Sequence, residues 1–382
     1  MNSLDAFAVG KLERLEAQNL RRTLVETQRL DGVHVRRAGC KLISFSCNDY
    51  LNLSQDGRVR AAAQAAIAEH GAGACASRLV TGDHPLVEAL EGALADFHKT
   101  DAACVFGSGY LANAGIIPTL MGTSDLILLD QLVHACIWAG AQLSGARVLA
   151  FAHNDLAALQ ALLHEHRSAH GRCLIATDGV FSMDGDVAPV GEMAALADAH
   201  DAWLLVDDAH GVGVLNNGRG AAANCSIPLR MGTLSKALGS YGGYVCASRP
   251  VIDFIKTRAR TLVYSTALPP ASAAAALCAL NIVAADSSLV QRPLAHAQLF
   301  TQRMGLAPAA SSIVPVIVGD AARALLLSAA LEEDGFLVGA IRPPTVPAGT
   351  ARLRVTFSAL HTPDMIEALA KSMRRHLQAL PA

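Results

Sequence analysis

The sequence of 382 residues is poor in aromatic residues and has no excess of either charge. Phe, Trp and Tyr make up 4% of the chain, whereas 52% of it is hydrophobic, so aliphatic side chains and alanine must build the core. A formal net charge of -2 creates no field that would attract nucleic acid or an anionic membrane, so neither is expected as a partner. Length and apolar content predict a large core, in several domains or in one large domain with an appendage.

Paired cysteines and long apolar runs are also missing. The nine cysteines stand singly and form no C-x-x-C pair, so no metal site of that kind is expected. Reduced thiols of a cytoplasmic protein are expected instead. No run of 18 apolar residues is free of charged or turn residues, and residues 1–10 lack a basic patch followed by an apolar stretch. Neither a membrane span nor a signal peptide is therefore predicted.

Short apolar runs alternate with helical segments from about residue 85 onward. The runs are 102–106, 126–129, 148–151, 173–177, 203–206, 230–233 and 244–247. Continuous apolar runs of this length between helices are typical of buried parallel strands. They predict a doubly wound, mostly parallel α/β sheet in one large domain.

The two ends of the chain differ from this central pattern. Residues 11–30 have leucines at helical spacing and predict a helix, followed by an extended piece near residues 41–45. Beyond about residue 290, two strand-like and two helical segments predict a small α+β domain. We therefore expect three units: residues 1–45 as an N-terminal helix and extended segment, 46–287 as the large domain, and 288–382 as the small C-terminal domain.

Polar motifs follow three of the predicted strands, where ligands bind in open α/β sheets. The turn Gly107–Ala112 suits a phosphate at a helix N-terminus, although it also fits a dinucleotide turn loosely. Asp207 ends a buried strand and needs a partner such as a pyridinium N–H; a helix cap by Asp208 is the plainer alternative. Lys236 lies between apolar and glycine residues. Desolvation there would lower the pKa of its amine and favour Schiff-base chemistry. The alternative is an ordinary lysine in a loop.

Taken together, these motifs are more specific than any one of them. Gly109, Asp207 and Lys236 follow in this order, and 29 residues separate the last two, about one βαβ unit. All three are predicted to lie at one edge of one sheet. That arrangement is the one pyridoxal 5'-phosphate (PLP) needs.

Seven motifs spread over nearly the whole chain resemble those of the α-oxoamine synthases, a branch of the fold-type I PLP enzymes. They are Ser46–Leu51, Ala76–Gly82, Thr177–Gly185, Asp207–Gly211, Thr233–Ala237, Tyr264–Thr266 and Gly349–Arg354. The sequence departs from the family where Asn52 and Ser235 replace frequent glycines. The resemblance implies the PLP-dependent transferase fold of type I and a decarboxylative acyl transfer to a small amino acid.

The resemblance also implies roles for the residues around the PLP ring. Lys236 would hold PLP covalently and later move the substrate α-proton, and Asp207 would pair with the pyridine nitrogen. His210 and Ser182 would hydrogen-bond the ring 3'-oxygen, and His134 would stack on the ring face. Together with the lysine and the aspartate, the two histidines form the implied catalytic set.

Other implied roles concern the PLP phosphate and the partner subunit. Gly109, Tyr110 and Thr233 would line the phosphate site. Thr266 would reach the phosphate held by a second subunit, because members of the family are homodimers with shared active sites.

The substrate residues and the branch of the family follow from the same resemblance. Arg354 would clamp the amino-acid carboxylate, while Asn48, Arg21 and Thr345 would contact substrate. The short N-terminus and residues 340–347 favour the branch that joins L-alanine to a pimeloyl thioester in biotin synthesis, with coenzyme A or acyl carrier protein as the carrier. Sister enzymes use glycine or serine, and the shared motifs do not separate them.

Three rival functions stay open on the sequence. The first is another PLP reaction on the same fold, such as transamination or aldol cleavage. The second is a regulator that binds PLP or a nucleotide without catalysis, against which the near-neutral charge and the missing DNA-binding segment count. The third is an NAD-dependent dehydrogenase built on the Gly107–Ala112 turn.

Overall fold

The computed structural model describes residues 2–379 of the chain. The helices are α1 Ser3–Ala17, α2 Gly57–His70, α3 Pro85–His98, α4 Gly109–Leu120, α5 Ala135–Ser144, α6 Leu156–His166, α7 Val190–Ala199, α8 Arg249–Arg258, α9 Arg260–Val263, α10 Pro270–Ala285, α11 Ser287–Met304, α12 Ala321–Glu333 and α13 Pro363–Ala379. The strands are β1 Thr27–Arg29, β2 His34–Arg37, β3 Cys40–Ser44, β4 Ala102–Phe106, β5 Leu126–Asp130, β6 Arg147–Phe151, β7 Cys173–Asp178, β8 Trp203–Asp207, β9 Leu229–Thr233, β10 Gly243–Ala247, β11 Ile313–Gly319, β12 Phe336–Leu337, β13 Gly339–Ile341 and β14 Ala351–Thr356.

A seven-stranded sheet with the order β4-β10-β9-β8-β7-β5-β6 forms the centre of the molecule. Its members are the seven runs predicted from the sequence, and the mostly parallel α/β fold is confirmed. The expected direction of the last run was wrong, because β10 lies antiparallel to both β4 and β9. Only residues 234–242 join β9 to β10, and a parallel crossover needs a dozen or more residues.

Helices cover both faces of this sheet, which makes it doubly wound. One core cluster packs side chains of α4 to α8 against the strands, and a second packs α2, α3 and α10 against the opposite face. Residues 126–129 of β5 are fully buried, which explains their unbroken run of apolar side chains. The buried strands therefore fix the positions of the loops at their carboxyl ends.

The N-terminal segment departs from the prediction of a helix over residues 11–30. Helix α1 begins at Ser3, where the Asn2 side chain accepts the N–H of Asp5 at 2.8 Å, and it ends at Ala17. It buries none of its residues, so the leucine spacing that suggested a longer helix does not mark a packed face. Strands β1 and β2 follow as a hairpin that pairs with β3. Only β3 lies in the piece predicted to be extended, whereas β1 falls within the stretch predicted to be helical.

The C-terminal part has the α+β character expected from the sequence. Strands β11, β14 and β13 form a three-stranded antiparallel sheet, against which α11, α12 and α13 pack. Phe45, which follows β3, inserts into this core beside Phe357 and Phe336. We propose that the chain divides near residues 45 and 287; α11, which contributes to the cores on both sides, lies at the second boundary.

Among the described residues, no helix is by itself long and apolar enough to cross a membrane. The consecutive helices α10 and α11 reach the required length and composition only when taken together, and they are bent by 83° at their junction.

Candidate active site

Five strands of the central sheet end at one edge. Asp178 and Asp207 are the last residues of β7 and β8. Gly109, His134 and Lys236 lie in the segments that follow β4, β5 and β9. Parallel strands end at the same edge, so these residues gather although they are far apart in the sequence. This edge is the candidate active site.

Lys236 stands in the loop after β9, and its amine faces a histidine. Its Nζ lies 2.7 Å from Nε2 of His210. Burial lowers the pKa of Lys236 to about 8, although the carboxylates of Asp207 and Asp178 act in the opposite direction. About one tenth of this amine is therefore unprotonated and nucleophilic at pH 7, far more than of an ordinary lysine with its pKa near 10.5.

His210 is held on its other side by a tyrosine whose role the sequence did not indicate. Nδ1 of His210 lies 2.6 Å from the hydroxyl of Tyr50, a fully buried side chain. Burial, together with the positive charge of Lys236, lowers the pKa of His210 well below its ordinary value, so the ring is neutral. Tyr50 belongs to the motif Ser46–Leu51, but nothing in the sequence places it against His210.

Asp207 is buried and fixed by two hydrogen bonds. One carboxylate oxygen accepts from Nδ2 of Asn113 at 2.7 Å and the other accepts the backbone N–H of Ala209 at 3.0 Å. Its register partner on β7 is Asp178, whose carboxylate accepts the N–H of His134 at 3.2 Å. Burial and the neighbouring charge of Asp207 raise the pKa of Asp178. Asn113 and Asp178 are thus site residues that were not predicted from the sequence.

His134 caps α5 and presents its ring beside the buried carboxylate pair. Its Nδ1 accepts the N–H of Cys136 at 3.3 Å and lies 2.8 Å from the thiol of the same residue. Cys136 in turn lies 3.9 Å from Asp207 and 3.2 Å from Asn113. These contacts fix the imidazole next to the Asp207 side of the site.

The turn before α4 forms a cradle for an anion. The Ser108 hydroxyl caps the helix by accepting the N–H of Leu111 at 3.2 Å. A Cβ on Gly109 would lie 3.1 Å from the methyl group of Met231 and 3.6 Å from Oγ1 of Thr233, so a side chain there would fill the space. First-turn N–H groups such as those of Gly109 and Tyr110 have no partner within a helix and attract phosphate.

Arg354 on β14 approaches the site from the C-terminal part of the chain. Its Nε donates to the carbonyl of Ser182, and its Nη1 donates to Oδ1 of Asn48 at 3.1 Å. The remaining nitrogen, Nη2, is buried and has no hydrogen-bond partner among residues 2–379. A carboxylate is the group that best satisfies such a guanidinium nitrogen. The structure thus brings the predicted residues Asn48, Ser182 and Arg354 together.

Arg21 and Thr345 lie apart from the lysine, in a neighbouring cavity. This cavity of about 840 Å³ is lined by both residues and by Ser46, which precedes Asn48 by two positions. Arg21 pairs with Glu16, and the hydroxyl of Thr345 accepts from Arg22 at 2.6 Å. The two predicted substrate residues therefore share one space at the junction of the N-terminal and C-terminal segments.

Thr266 forms no described hydrogen bond with the lysine and histidine group. It pairs with Ser77 in an isolated β-bridge and lines a small recess with Gly107, at the outer side of the phosphate turn. Tyr264, two residues earlier, is 78% exposed, as are Leu79 at 63% and Val80 at 74% in the facing segment. Thr266 is thus placed among exposed apolar side chains.

The residues at this edge fit PLP. The cradle at Gly109 suits the phosphate, the buried Asp207 suits the pyridine nitrogen, and the amine of Lys236 suits the aldehyde. The unpartnered Nη2 of Arg354 suits the carboxylate of an amino acid. Each group of the cofactor therefore has a partner of matching chemistry.

Comparisons with known proteins give the same result for the whole chain. The sequence model of the family described as "Aminotransferase class I and II" matches residues 41–373. An 8-amino-7-oxononanoate synthase of Methylobacterium radiotolerans is 62% identical over 373 residues, covering 98% of each chain. One of Beijerinckia indica is 57% identical over 374 residues, covering 97% of each.

Solved structures agree in fold. A PLP-bound serine palmitoyltransferase of S. paucimobilis superimposes with a TM-score of 0.93 at 29% identity and covers 99% of both chains. The 8-amino-7-oxononanoate synthase of Francisella tularensis has a TM-score of 0.77 at 28% identity, covering 88% of this chain and 98% of its own.

Proposed function

Because the chain belongs to the class I and II aminotransferase family, within the α-oxoamine synthase branch of the fold-type I PLP enzymes, we propose that it condenses L-alanine with a pimeloyl thioester. The chain is a PLP-dependent acyltransferase. The proposed products are 8-amino-7-oxononanoate, carbon dioxide and the free thiol of coenzyme A or acyl carrier protein. This reaction would serve biotin synthesis in the cytoplasm.

The observation that carries the amino-acid part of this proposal is the orphaned nitrogen of Arg354. A buried guanidinium nitrogen without a partner is costly, and a substrate carboxylate would satisfy it. Asn48 and the carbonyl of Ser182 hold the other nitrogens, so the orientation of the guanidinium is fixed before substrate arrives. The choice of alanine and pimeloyl groups is supported by the names of the relatives at about 60% identity.

The chemistry assigned to each residue follows from its position. PLP, when bound, takes up the electron pair left when the substrate α-carbon loses its proton. Asp207 would hold a proton on the pyridine nitrogen, and the hydrogen bonds that it accepts from Asn113 and Ala209 keep it oriented. Lys236, whose lowered pKa favours the free amine, would take the α-proton before acyl transfer and return a proton to the same carbon after the carboxylate has left as carbon dioxide.

The remaining residues bind and orient. Gly109, Tyr110 and Thr233 would hold the phosphate, and Ser182 with His210 would donate to the 3'-oxygen. His134 contacts Cys136, which in turn contacts Asp207; the imidazole would stack on the ring and donate to the new ketone oxygen while carbon dioxide leaves.

The acyl donor has a separate space. The cavity lined by Arg21 and Thr345 adjoins the segment that carries Asn48, so a chain lying there would reach the amino-acid site with its thioester end. Arg22 and Arg342 also line this cavity and give it a positive lining. A negatively charged acyl chain or carrier suits such a lining.

We also propose a homodimer with shared sites. Leu79, Val80 and Tyr264 are exposed large apolar side chains near Thr266, at the outer side of the phosphate turn. Exposed apolar patches of this kind mark protein interfaces. In a dimer with this interface, Thr266 of one protomer would reach the phosphate held by its partner.

The test is thiol release from pimeloyl-coenzyme A and pimeloyl-acyl carrier protein by the PLP-loaded protein, with alanine, glycine and serine in parallel. Strong release with alanine and either carrier supports the proposal, and Lys236→Ala serves as the blank. Release that prefers glycine or serine with another acyl group would move the protein to a sister synthase, a candidate favoured by the serine palmitoyltransferase superposition. Reaction of the amino acid without any need for thioester would favour transamination or aldol cleavage.

A further inference from the structure

A continuous series of hydrogen-bond contacts joins the carboxylate clamp to the cofactor lysine. Nη1 of Arg354 lies 3.1 Å from Oδ1 of Asn48, and the Tyr50 hydroxyl lies 3.3 Å from the same oxygen. Tyr50 is 2.6 Å from Nδ1 of His210, whose Nε2 is 2.7 Å from Nζ of Lys236. Tyr50 is the middle member of this series.

The hydroxyl of Tyr50 determines which ring nitrogen of His210 carries the proton. A neutral imidazole carries one proton, on Nδ1 or on Nε2, and the partner of one nitrogen decides which form is present. The hydroxyl has a single proton to donate, and the nearer acceptor is Nδ1 of His210 at 2.6 Å rather than the Asn48 oxygen at 3.3 Å. Donation to Nδ1 leaves the ring proton on Nε2, the nitrogen that faces Lys236.

We propose that Tyr50 is a positioning residue that holds His210 in the tautomer with its proton on Nε2. In this form His210 donates from the nitrogen directed into the site to the ring 3'-oxygen of the cofactor. In the free chain it donates to the lysine amine once that amine has lost its proton, above about pH 8. The inference rests on the proposed role of His210, but not on the identity of the acyl donor. Tyr50 thereby acts on the reaction through His210.

The surroundings favour a neutral ring rather than a cation. Tyr50 faces the charged or titratable groups of Arg354 and Cys47. His210 faces Lys236, Arg354 and His134. Lys236 faces Asp207, Asp178, Arg354 and Cys136. Those facing His210 are cationic or neutral, so they oppose its protonation. Burial raises the pKa of Tyr50, which keeps its hydroxyl protonated and able to donate.

The chain contains a matched control for loss of a buried tyrosine hydroxyl. Tyr244 on β10 is as fully buried as Tyr50 and also meets a buried histidine, with its hydroxyl 2.9 Å from Nε2 of His98. Burial lowers the pKa of His98 to about 3, so this ring is neutral too. Tyr50→Phe and Tyr244→Phe therefore remove the same group from equivalent environments, but only one of them lies in the series that ends at Lys236.

The experiment compares wild type, Tyr50→Phe and Tyr244→Phe as holoenzymes containing isotope-labelled histidine. NMR of the ring nitrogens reports the tautomer, and the signal missing from His210→Asn identifies His210. We expect the Nε2–H form in wild type and in Tyr244→Phe, and a mixture of forms in Tyr50→Phe. An Nδ1–H form in wild type would overturn the proposal whether or not the variants fold. An unchanged tautomer in Tyr50→Phe, or the same change in Tyr244→Phe, would do so as well.

A kinetic experiment distinguishes a positioning role of Tyr50 from a general loss of protein stability. Exchange of the α-proton of L-alanine in D₂O needs no thioester, so its outcome is independent of the proposed acyl donor; glycine and serine are run beside it. Tyr50→Phe should lower kcat for exchange roughly 10- to 100-fold with KM changed less than about threefold, because Arg354 keeps its other contacts. Tyr244→Phe should leave both constants near wild type. Equal losses in the two variants would mean that Tyr50 acts only through general stability.

Discussion

Burial of Lys236 sets the pH range in which its amine can react. With a pKa of about 8, the fraction of free amine falls about tenfold for each pH unit below that value. We therefore expect the rate of covalent PLP capture by the cofactor-free protein to rise up to about pH 8 and then to level off. A solution lysine derivative, whose pKa keeps its ordinary value near 10.5, should continue to gain reactivity above pH 8.

Spectroscopic titration of PLP capture checks this expectation, with Lys236→Ala as the blank that shows no covalent absorbance and almost no turnover. Asp207→Asn removes a negative charge that raises the pKa of the lysine, so its midpoint should move below that of wild type. A midpoint near 10 in the wild type would contradict the argument from burial.

Asp207→Asn should also separate cofactor binding from catalysis. The phosphate cradle and the lysine are unchanged, so the variant should retain PLP, but an amide cannot hold the proton on the pyridine nitrogen. We expect α-proton exchange of alanine to fall at least about 100-fold, measured by NMR in D₂O. Normal exchange in a variant shown to contain PLP would remove Asp207 from its assigned role.

At the scale of single residues, the sequence predicted the site residues that are charged although their neighbours are apolar. A carboxylate at the end of an apolar run and a lysine among apolar residues stand out, so Asp207 and Lys236 could be found without a structure. Asn113 and Tyr50 could not, because their partners lie 94 and 160 positions away and ordinary helix and turn residues give no signal. Such contacts depend on tertiary packing.

The first turn of helix α4 offers a prediction at the scale of one element. Gly109→Ala would place a Cβ 3.1 Å from the methyl group of Met231, in the space proposed for the phosphate. We expect PLP affinity to fall about tenfold or more, measured by fluorescence titration, with little change in the thermal unfolding midpoint. The loss should be smaller with pyridoxal, which has no phosphate, than with PLP.

Helix α3 supplies the control for that substitution. Gly92 is exposed on this helix, and a Cβ there would meet nothing within 4 Å. Gly92→Ala should leave PLP binding unchanged and stabilise the protein by about 0.5–1 kcal/mol, because alanine has the higher helix propensity. Equal loss of affinity in both variants would contradict the proposed location of the phosphate site.

Among the helices and strands, those that are buried could be predicted from the sequence, because burial requires apolar side chains. Six of the seven strands of the central sheet are almost wholly buried and mostly apolar, while the edge strand β6 is only partly buried, and all seven were predicted within one residue. Helix α1 buries nothing, so its leucines carry no packing information and its bounds were predicted incorrectly. The direction of β10 depends on the length of its connection to β9, not on the composition of the strand.

For the whole molecule, the proposed dimer makes the oligomeric state and cofactor binding interdependent. Leu79→Asp places a charge in the exposed apolar segment facing Thr266 and should shift the protein toward a monomer in sedimentation experiments. PLP affinity should fall with it, because Thr266 of the partner would be lost. Leu326→Asp on α12 is the control, since Leu326 is similarly exposed at 60% but lies on a C-terminal helix. A Leu79→Asp dimer with normal PLP binding would contradict the shared site.

The contacts of Arg354 also determine when the site can exist during protein synthesis. This residue joins Asn48 and Ser182, which lie 306 and 172 positions earlier in the chain. A ribosome that has already released the lysine loop and the phosphate turn has still to make β14, so the emerging polypeptide can hold the cofactor's partners before it can hold an amino acid. A chain that ends before β14 therefore lacks the carboxylate clamp, because the clamp is the last part of the site to be synthesised.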